Sequence, residues 1–156
     1  MGISAEFLMV GLVASPAHRS HLKSLGVDAP AAVLSDDDFT RRGRSITYAL
    51  WTIPSEYYRL TASTSFLEAL SLVKPGIHLR NPYLEHYFHR LGDIGHLCNS
   101  PGEILSQISG ICSNFPTEHY QEQCRNILAN RDIFGPEAVG LQLHAIVNEI
   151  SGELST

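Results

Sequence analysis

The sequence predicts an α/β domain in which a parallel sheet carries helices on both faces. Two patterns support this prediction: short apolar runs alternate with helical segments along the chain, and Gly, Pro or Ser residues separate them. The apolar content of 44% is enough to form a buried core. A chain of 156 residues has the length of one domain, so we expect a single domain over residues 1–156.

The first half of the chain is expected to alternate strands and helices. The apolar run Glu6–Ala14 has the length of a strand that is covered on both faces. After it we expect, in order, a helix at Arg19–Leu25 ending at Gly26, a short strand at Ala31–Leu34, a helix from Asp36 to about Trp51, a strand at Tyr57–Ala62, a polar turn at Thr61–Ser65 and a helix at Ser65–Val73.

The second half continues the alternation and ends in two helices. We expect strands at Gly76–Leu79 and Ile94–Leu97, a helix at Tyr83–Leu91, a helix from a capping box at Ser100 through Ile111, and terminal helices at about Thr117–Leu128 and Pro136–Ile150. The last helix carries an apolar stripe of Val139, Leu143, Ile146, Val147 and Ile150. Because this stripe has to be buried, the helix should cover the domain or reach a partner domain or subunit.

Composition limits the class of protein. The net charge of −5 argues against a general nucleic-acid binder, which normally carries a basic excess. No apolar run approaches the roughly 20 residues of a transmembrane helix, so no membrane span is expected. The three cysteines, Cys98, Cys112 and Cys124, form no disulfide pattern and are typical of reduced thiols in a cytoplasmic protein.

Polar residues follow the predicted strands at the edge where ligands bind in parallel sheets. The segments are Ser15–His18, Thr61–Ser65 and Arg80–Tyr83. Hydroxyl groups at a strand end and helix start favour an anion such as a diphosphate, because the first N–H groups of the helix are unpaired. Ser65 and Glu68 match a capping box. Glu68 is therefore either a cap residue with a structural role or a residue that binds the ligand. Ser63 and Thr64 are not needed for that cap and are the better ligand candidates.

Two further side chains are candidates for phosphate binding. The imidazole of His18 and the guanidinium of Arg80 are expected at strand ends, where each can donate to a phosphate; a surface turn and a surface ion pair are the alternatives. His86 and His89 have a helical spacing but no second pair of ligands, so no metal site is predicted. The motifs of dehydrogenases, P-loop NTPases, dithiol oxidoreductases and α/β-hydrolases are absent.

The stretch TASTSFLEALSLVKPGIHLRNP resembles the donor-binding half of GT-B-fold glycosyltransferases. The shared features are the hydroxyl-rich turn at Ser63-Thr64-Ser65, the acid Glu68 in the helix and the Lys74-Pro75 pair before a strand. Val73 stands where the family usually has Gly, and Ser15-Pro16-Ala17-His18 replaces a His-Pro pair of capsule-type members. The likeness is specific over about two dozen residues, and related non-hydrolysing sugar-nucleotide epimerases share similar segments.

The resemblance implies a Rossmann-like domain that binds a nucleotide-sugar as its donor substrate and has no permanently bound cofactor. It implies that Ser63, Thr64 and Ser65 contact the donor phosphates and that Glu68 lies near the ribose or the sugar. The chain would be one half of a two-domain or split enzyme that transfers a sugar to an unidentified acceptor, for example in surface polysaccharide synthesis. Two alternatives stay open: a non-catalytic nucleotide-sugar-binding or regulatory module, and half of a sugar-nucleotide epimerase.

Overall fold

A computed structural model of the chain describes residues 5–52 and 63–153. Helices and strands alternate from residue 49 to residue 113, and further helices follow. The helices are α1 Pro16–Ser24, α2 Asp36–Ser45, α3 Thr64–Ser71, α4 Pro82–Leu91, α5 Pro101–Ser113, α6 Thr117–Asn130 and α7 Pro136–Glu153; the strands are β1 Ala49–Trp51, β2 Gly76–Leu79 and β3 Gly95–Cys98. A 3₁₀ turn, Arg131–Phe134, links α6 to α7.

The strands of the described residues form one small parallel sheet in the order β1-β2-β3. Gly76 at the start of β2 pairs with Ala49 on one side and with Gly95 on the other. The prediction of an α/β domain with a parallel sheet is therefore confirmed. The sheet has three short strands in the described ranges, fewer than the alternation along the whole chain predicts.

Helices pack on both faces of this sheet. Successive residues of a strand point to opposite faces, and the neighbours of Ile77 and His78 show what covers each face. Ile77 packs in a cluster with Cys98 and with Ile104 of α5. The ring of His78 instead contacts Phe66 of α3 and Phe88 of α4. The larger core cluster on that side is made of Phe66, Leu70, Leu84, Leu91, Ile94 and Ile127.

The sequence predictions for the second half agree with the structure. Strand β2 has the predicted bounds, and α4 ends before Gly92, whose φ of 82° explains why glycine occupies that position. Ser100 caps α5 by accepting from the N–H of Glu103 at 3.2 Å. The carboxylate of Glu103 accepts from the N–H of Asn99 at 2.7 Å, so the reciprocal bond of this capping box reaches one residue further back.

Three predictions for the first half are wrong. Within residues 5–52 and 63–153, the run Glu6–Ala14 forms no strand of the sheet; its backbone pairs there through a parallel bridge between Leu8 and Asp28, and Phe7 and Leu12 are exposed. Its apolar residues predicted a buried strand, but no neighbouring strand covers them in the described residues. Ala31–Leu34 forms no strand in the described residues: Ala31 and Ala32 form a bend, and Val33 is 80% exposed and so lacks the cover that a buried strand requires.

The predicted helix from Asp36 to Trp51 is two elements. Helix α2 ends at Ser45, since the next residue, Ile46, adopts an extended backbone with ψ of 150°. The residues Ala49–Trp51 then form β1, which pairs with β2. The strand predicted at Tyr57–Ala62 lies outside the described residues.

The C-terminal helix α7 does not cover the domain. The side chains of its apolar stripe are about half exposed, from 49% at Val139 to 60% at Leu143. The expectation that α7 packs onto this domain is therefore wrong, and its alternative, that α7 reaches a partner domain or subunit, stays a prediction.

Candidate functional site

Two helices begin directly after the carboxyl ends of strands. Helix α4 starts three residues after β2 ends, and Asn81 caps it by accepting from the N–H of Leu84 at 2.9 Å. Helix α5 follows β3 in the same way, with Ser100 as its cap. Their first N–H groups therefore lie at one edge of the sheet, where the positive ends of the helix dipoles favour an anion.

The start of α3 lies at the same edge. The backbone N–H of Ser63 donates to the Tyr83 hydroxyl at 2.9 Å, which joins the starts of α3 and α4. The indole N–H of Trp51, the last residue of β1, donates to Ser65 Oγ at 3.2 Å. The predicted meeting of the segments around Ser63–Ser65 and Arg80–Tyr83 is therefore present, although Thr61 and Ala62 lie outside the described residues.

Ser63, and not Ser65, is the cap of α3. Its side chain is buried and accepts from the N–H of Phe66 at 3.3 Å. The prediction of a Ser65–Glu68 capping box is therefore wrong, as is the inference that Ser63 is dispensable for the cap. The three adjacent hydroxyl residues can each serve as a cap by sequence, and Tyr83 decides between them by holding the Ser63 backbone.

The remaining hydroxyl residues at this helix start face the solvent. Thr64 is the first residue of α3 and is exposed, as is Ser65. Glu68 lies one turn further along α3 and is partly buried. Thr64 presents its hydroxyl next to the first N–H groups of α3, an arrangement that suits a phosphate group. The Ser65 hydroxyl accepts from Trp51 and bonds the Ser63 hydroxyl at 3.2 Å, so it can donate to a phosphate when Ser63 is the donor of that bond.

The other two predicted phosphate ligands have different surroundings. Arg80 follows β2 at the expected strand end, where its guanidinium forms a 2.9 Å ion pair with Glu85 of α4. His18 lies in the first turn of α1, and its backbone N–H donates to the cap residue Ser15 at 3.3 Å. Since the run before α1 is not a strand of the sheet, the prediction that His18 follows a sheet strand is wrong. That hydrogen bond is local to the start of α1 and does not involve α3.

Aromatic side chains pack against the buried side of the start of α3. The rings of Trp51 and His78 stack with their centroids 4.7 Å apart, and the edges of Phe66 and Tyr83 pack nearby. His78 is buried, and among the described residues its Nδ1 has no hydrogen-bond partner. Burial lowers the pKa of His78 to about 3, so the ring is neutral at physiological pH. Sequence reasoning missed Trp51, His78 and Tyr83, because in sequence they are indistinguishable from packing residues.

A second polar cluster lies at the start of β3. The carboxylate of Asp93 accepts from Gln123 Nε2 at 3.0 Å and from the N–H of Gly95 at 3.2 Å, and His119 Nε2 lies 2.5 Å from it. Burial acts to raise the pKa of Asp93, but these hydrogen bonds outweigh it and keep that pKa below its usual value. In residues 5–52 and 63–153, no group of three His, Cys, Asp or Glu side chains has an arrangement that holds a metal ion.

The Ser63 cap gives a first testable prediction. We expect Ser63→Ala to lower the free energy of unfolding by about 1–2 kcal/mol, because it removes the cap bond in a buried setting. Thr64→Ala should leave stability nearly unchanged. Urea denaturation of both variants checks this, with Ser100→Ala as the matched change in the exposed cap of α5. Loss of stability in Ser65→Ala with none in Ser63→Ala would reverse the assignment.

Comparisons with known proteins give no relative for this chain: no family model, no curated protein and no solved structure matches it. Among the helices of the described ranges, none has the length and apolar character needed to cross a membrane. What can be inferred about function therefore depends on the motif and on the geometry at the carboxyl ends of the strands.

Proposed function

We propose that this chain is a Rossmann-like nucleotide-sugar-binding domain, the donor-binding half of a glycosyltransferase. The observation that carries the proposal is the convergence of three helix starts near the carboxyl ends of parallel strands, with the hydroxyl groups of Thr64 and Ser65 exposed there. A diphosphate placed at α3 would receive hydrogen bonds from its unpaired N–H groups and from these hydroxyls.

The proposed roles differ among the predicted residues. Thr64 and Ser65 donate to phosphate oxygens, while Ser63 holds the helix start in place. Glu68, one turn along α3, accepts from a hydroxyl of the ribose or the sugar, as the resemblance implies. Stabilising the negative charge of the departing phosphate is the contribution that such donors make to glycosyl transfer. The acceptor and a catalytic base come from a second half of the enzyme.

The experiment is a calorimetric titration of the chain with UDP-, GDP-, CDP- and CMP-sugars. We expect one of these classes to bind, and we expect Thr64→Val to weaken that binding at least about tenfold, because a hydrogen bond to a charged phosphate contributes about 1.5–3 kcal/mol. Thr117→Val is the matched control, since Thr117 is also exposed and is also the first residue of a helix.

Glu68→Gln tests the second role in the same titration. Because Glu68 has no part in the α3 cap, we expect this variant to keep the stability of the parent and to lose affinity. Equal affinity of Thr64→Val and the parent would contradict the phosphate site. Failure of every nucleotide-sugar to bind would contradict the proposed function itself.

A further inference from the structure

The free edge of β3 carries backbone groups that point away from the sheet. In the described residues β3 pairs only with β2. The N–H of Gly76 donates to Ile94 O at 3.2 Å and the N–H of Arg80 to Cys98 O at 2.8 Å, so residues 94, 96 and 98 face β2. Gly95 and Leu97 therefore face outward. The outward backbone groups of Gly95 are hydrogen-bonded by side chains: Asp93 accepts from its N–H, and Gln123 donates to its C=O at 3.2 Å.

One face of α6 fixes this arrangement. His119, Gln123, Asn126 and Asn130 are spaced by four, three and four residues and therefore lie on one side of the helix. Each contacts the connection from α4 to β3: Asn130 bonds Leu91 O, Asn126 bonds Asp93 O, and Gln123 and His119 reach the Asp93 carboxylate. Gln123 is fully buried and also accepts from the Tyr48 hydroxyl at 3.3 Å. These bonds hold the Asp93 carboxylate in place, and that carboxylate in turn positions the His119 ring.

A groove of about 510 Å³ runs along this edge between α4 and α5. We call it the edge groove; its lining includes Arg80, Phe88, His96, Leu97, Glu103 and His119. Arg80 lies near the carboxylates of Glu85 and Glu103, and the imidazole of His119 contacts the Asp93 carboxylate, so groups of both signs and a ring nitrogen line the groove. A ligand with one net charge would meet repulsion as well as attraction there. A neutral molecule with many hydroxyl groups finds both donors and acceptors, and Phe88 and Leu97 offer apolar surface.

We propose that the edge groove binds a neutral, hydroxyl-rich molecule of the sugar or polyol class, with His119 as a hydrogen-bond acceptor for one of its hydroxyl groups. Nε2 of His119 lies 2.5 Å from the Asp93 carboxylate, and in the tautomer that donates this proton to Asp93 the Nδ1 atom is the acceptor nitrogen. The outward N–H and C=O of Leu97 supply a donor and an acceptor beside it. This site is separate from the proposed phosphate site at α3 and does not depend on it.

The experiment is NMR titration of the ¹⁵N-labelled chain with glucose, galactose, mannose and N-acetylglucosamine, none of which carries phosphate. We expect at least one sugar to shift the imidazole signals of His119 and the amide signal of Leu97 in a saturable way. His144, exposed on α7 and bonded to Asn148, is the internal control and should not move. The ¹⁵N shifts should also report the Nε2–H tautomer of His119.

The Asp93→Asn variant tests whether the bond between Asp93 and His119 contributes to ligand binding or only to the structure. This variant keeps the size of the side chain but loses the carboxylate that sets the tautomer, so we expect a mixture of tautomers and an affinity about three- to tenfold lower, the range for one hydrogen bond. If Asp93→Asn does not fold, His119→Gln makes the same test at an exposed position. Sugars that leave the His119 signals unchanged, or that bind Asp93→Asn as tightly as the parent, would overturn the proposal.

Discussion

We expect Gly95→Ala to reduce the free energy of unfolding by about 3 kcal/mol or more, because it combines backbone strain with overpacking. Gly95 begins β3 with a φ of 149°, which residues with a side chain rarely adopt. A Cβ atom there would overlap the backbone of Gly76, its partner in β2. Strands β2 and β3 would have to move apart at their first residues, where Gly76 pairs with Gly95.

Thermal denaturation measures this effect, and for a chain of this size we expect Tm to fall by roughly 10 °C. Gly110→Ala is the matched control, since Gly110 lies inside α5 with open space around its Cα. An alanine in a helix interior should stabilise the protein by about 0.5–1 kcal/mol. Equal effects of the two substitutions would contradict the close approach of β2 and β3.

Stability should also fall as the pH is lowered from 7 to 5, because of His78. Its folded pKa of about 3 lies below the value of about 6.5 expected in the unfolded chain. Between these two values the unfolded chain binds a proton that the folded protein does not, so stability rises with pH through this window. Linkage then predicts a loss of about 2 kcal/mol between pH 7 and pH 5.

Urea denaturation at several pH values, in the parent and in His78→Phe, tests this prediction. The phenylalanine keeps a ring against Trp51 but cannot titrate, so the slope between pH 7 and pH 5 should become much shallower. Burial also lowers the pKa of His96, which leaves a smaller residual slope of the same sign. The carboxyl groups of Asp38, Asp93 and Glu103 have lowered pKa values, and these change the free energy of unfolding mainly at pH values below this window. An unchanged slope in His78→Phe would contradict a buried neutral His78.

The sequence predicted the fold best where local signals and tertiary packing agree. Helices α4 and α5 begin with a cap residue followed by Pro, and β2 is a short apolar run between Pro75 and Asn81, so their positions follow from local chemistry. Strand β1 has only three residues, and a run of that length has no measurable periodicity. The apolar segment before α1 has the composition of a strand, but pairing partners decide whether a strand forms.

The candidate site was predictable in its location and not in its detail. The edge of the sheet follows from the order of elements, whereas the choice of Ser63 over Ser65 as the cap depends on Tyr83, twenty residues away. The polar face of α6 has the spacing of an ordinary exposed helix face, so its bonds to Asp93 and to the neighbouring backbone could not be inferred from sequence. Likewise, nothing in the letters GIHL distinguishes a buried histidine from an exposed one.

The central claim, a phosphate site at the start of α3, is tested most directly by mapping amide chemical shifts while a nucleotide-sugar is added to the ¹⁵N-labelled chain. The amides of Thr64, Ser65 and Phe66 should shift most, because their N–H groups would donate to the phosphate or lie next to it. The amides of α7 should stay unchanged. Largest shifts at a place other than the start of α3, or no saturable shift with any UDP-, GDP-, CDP- or CMP-sugar, would contradict the claim.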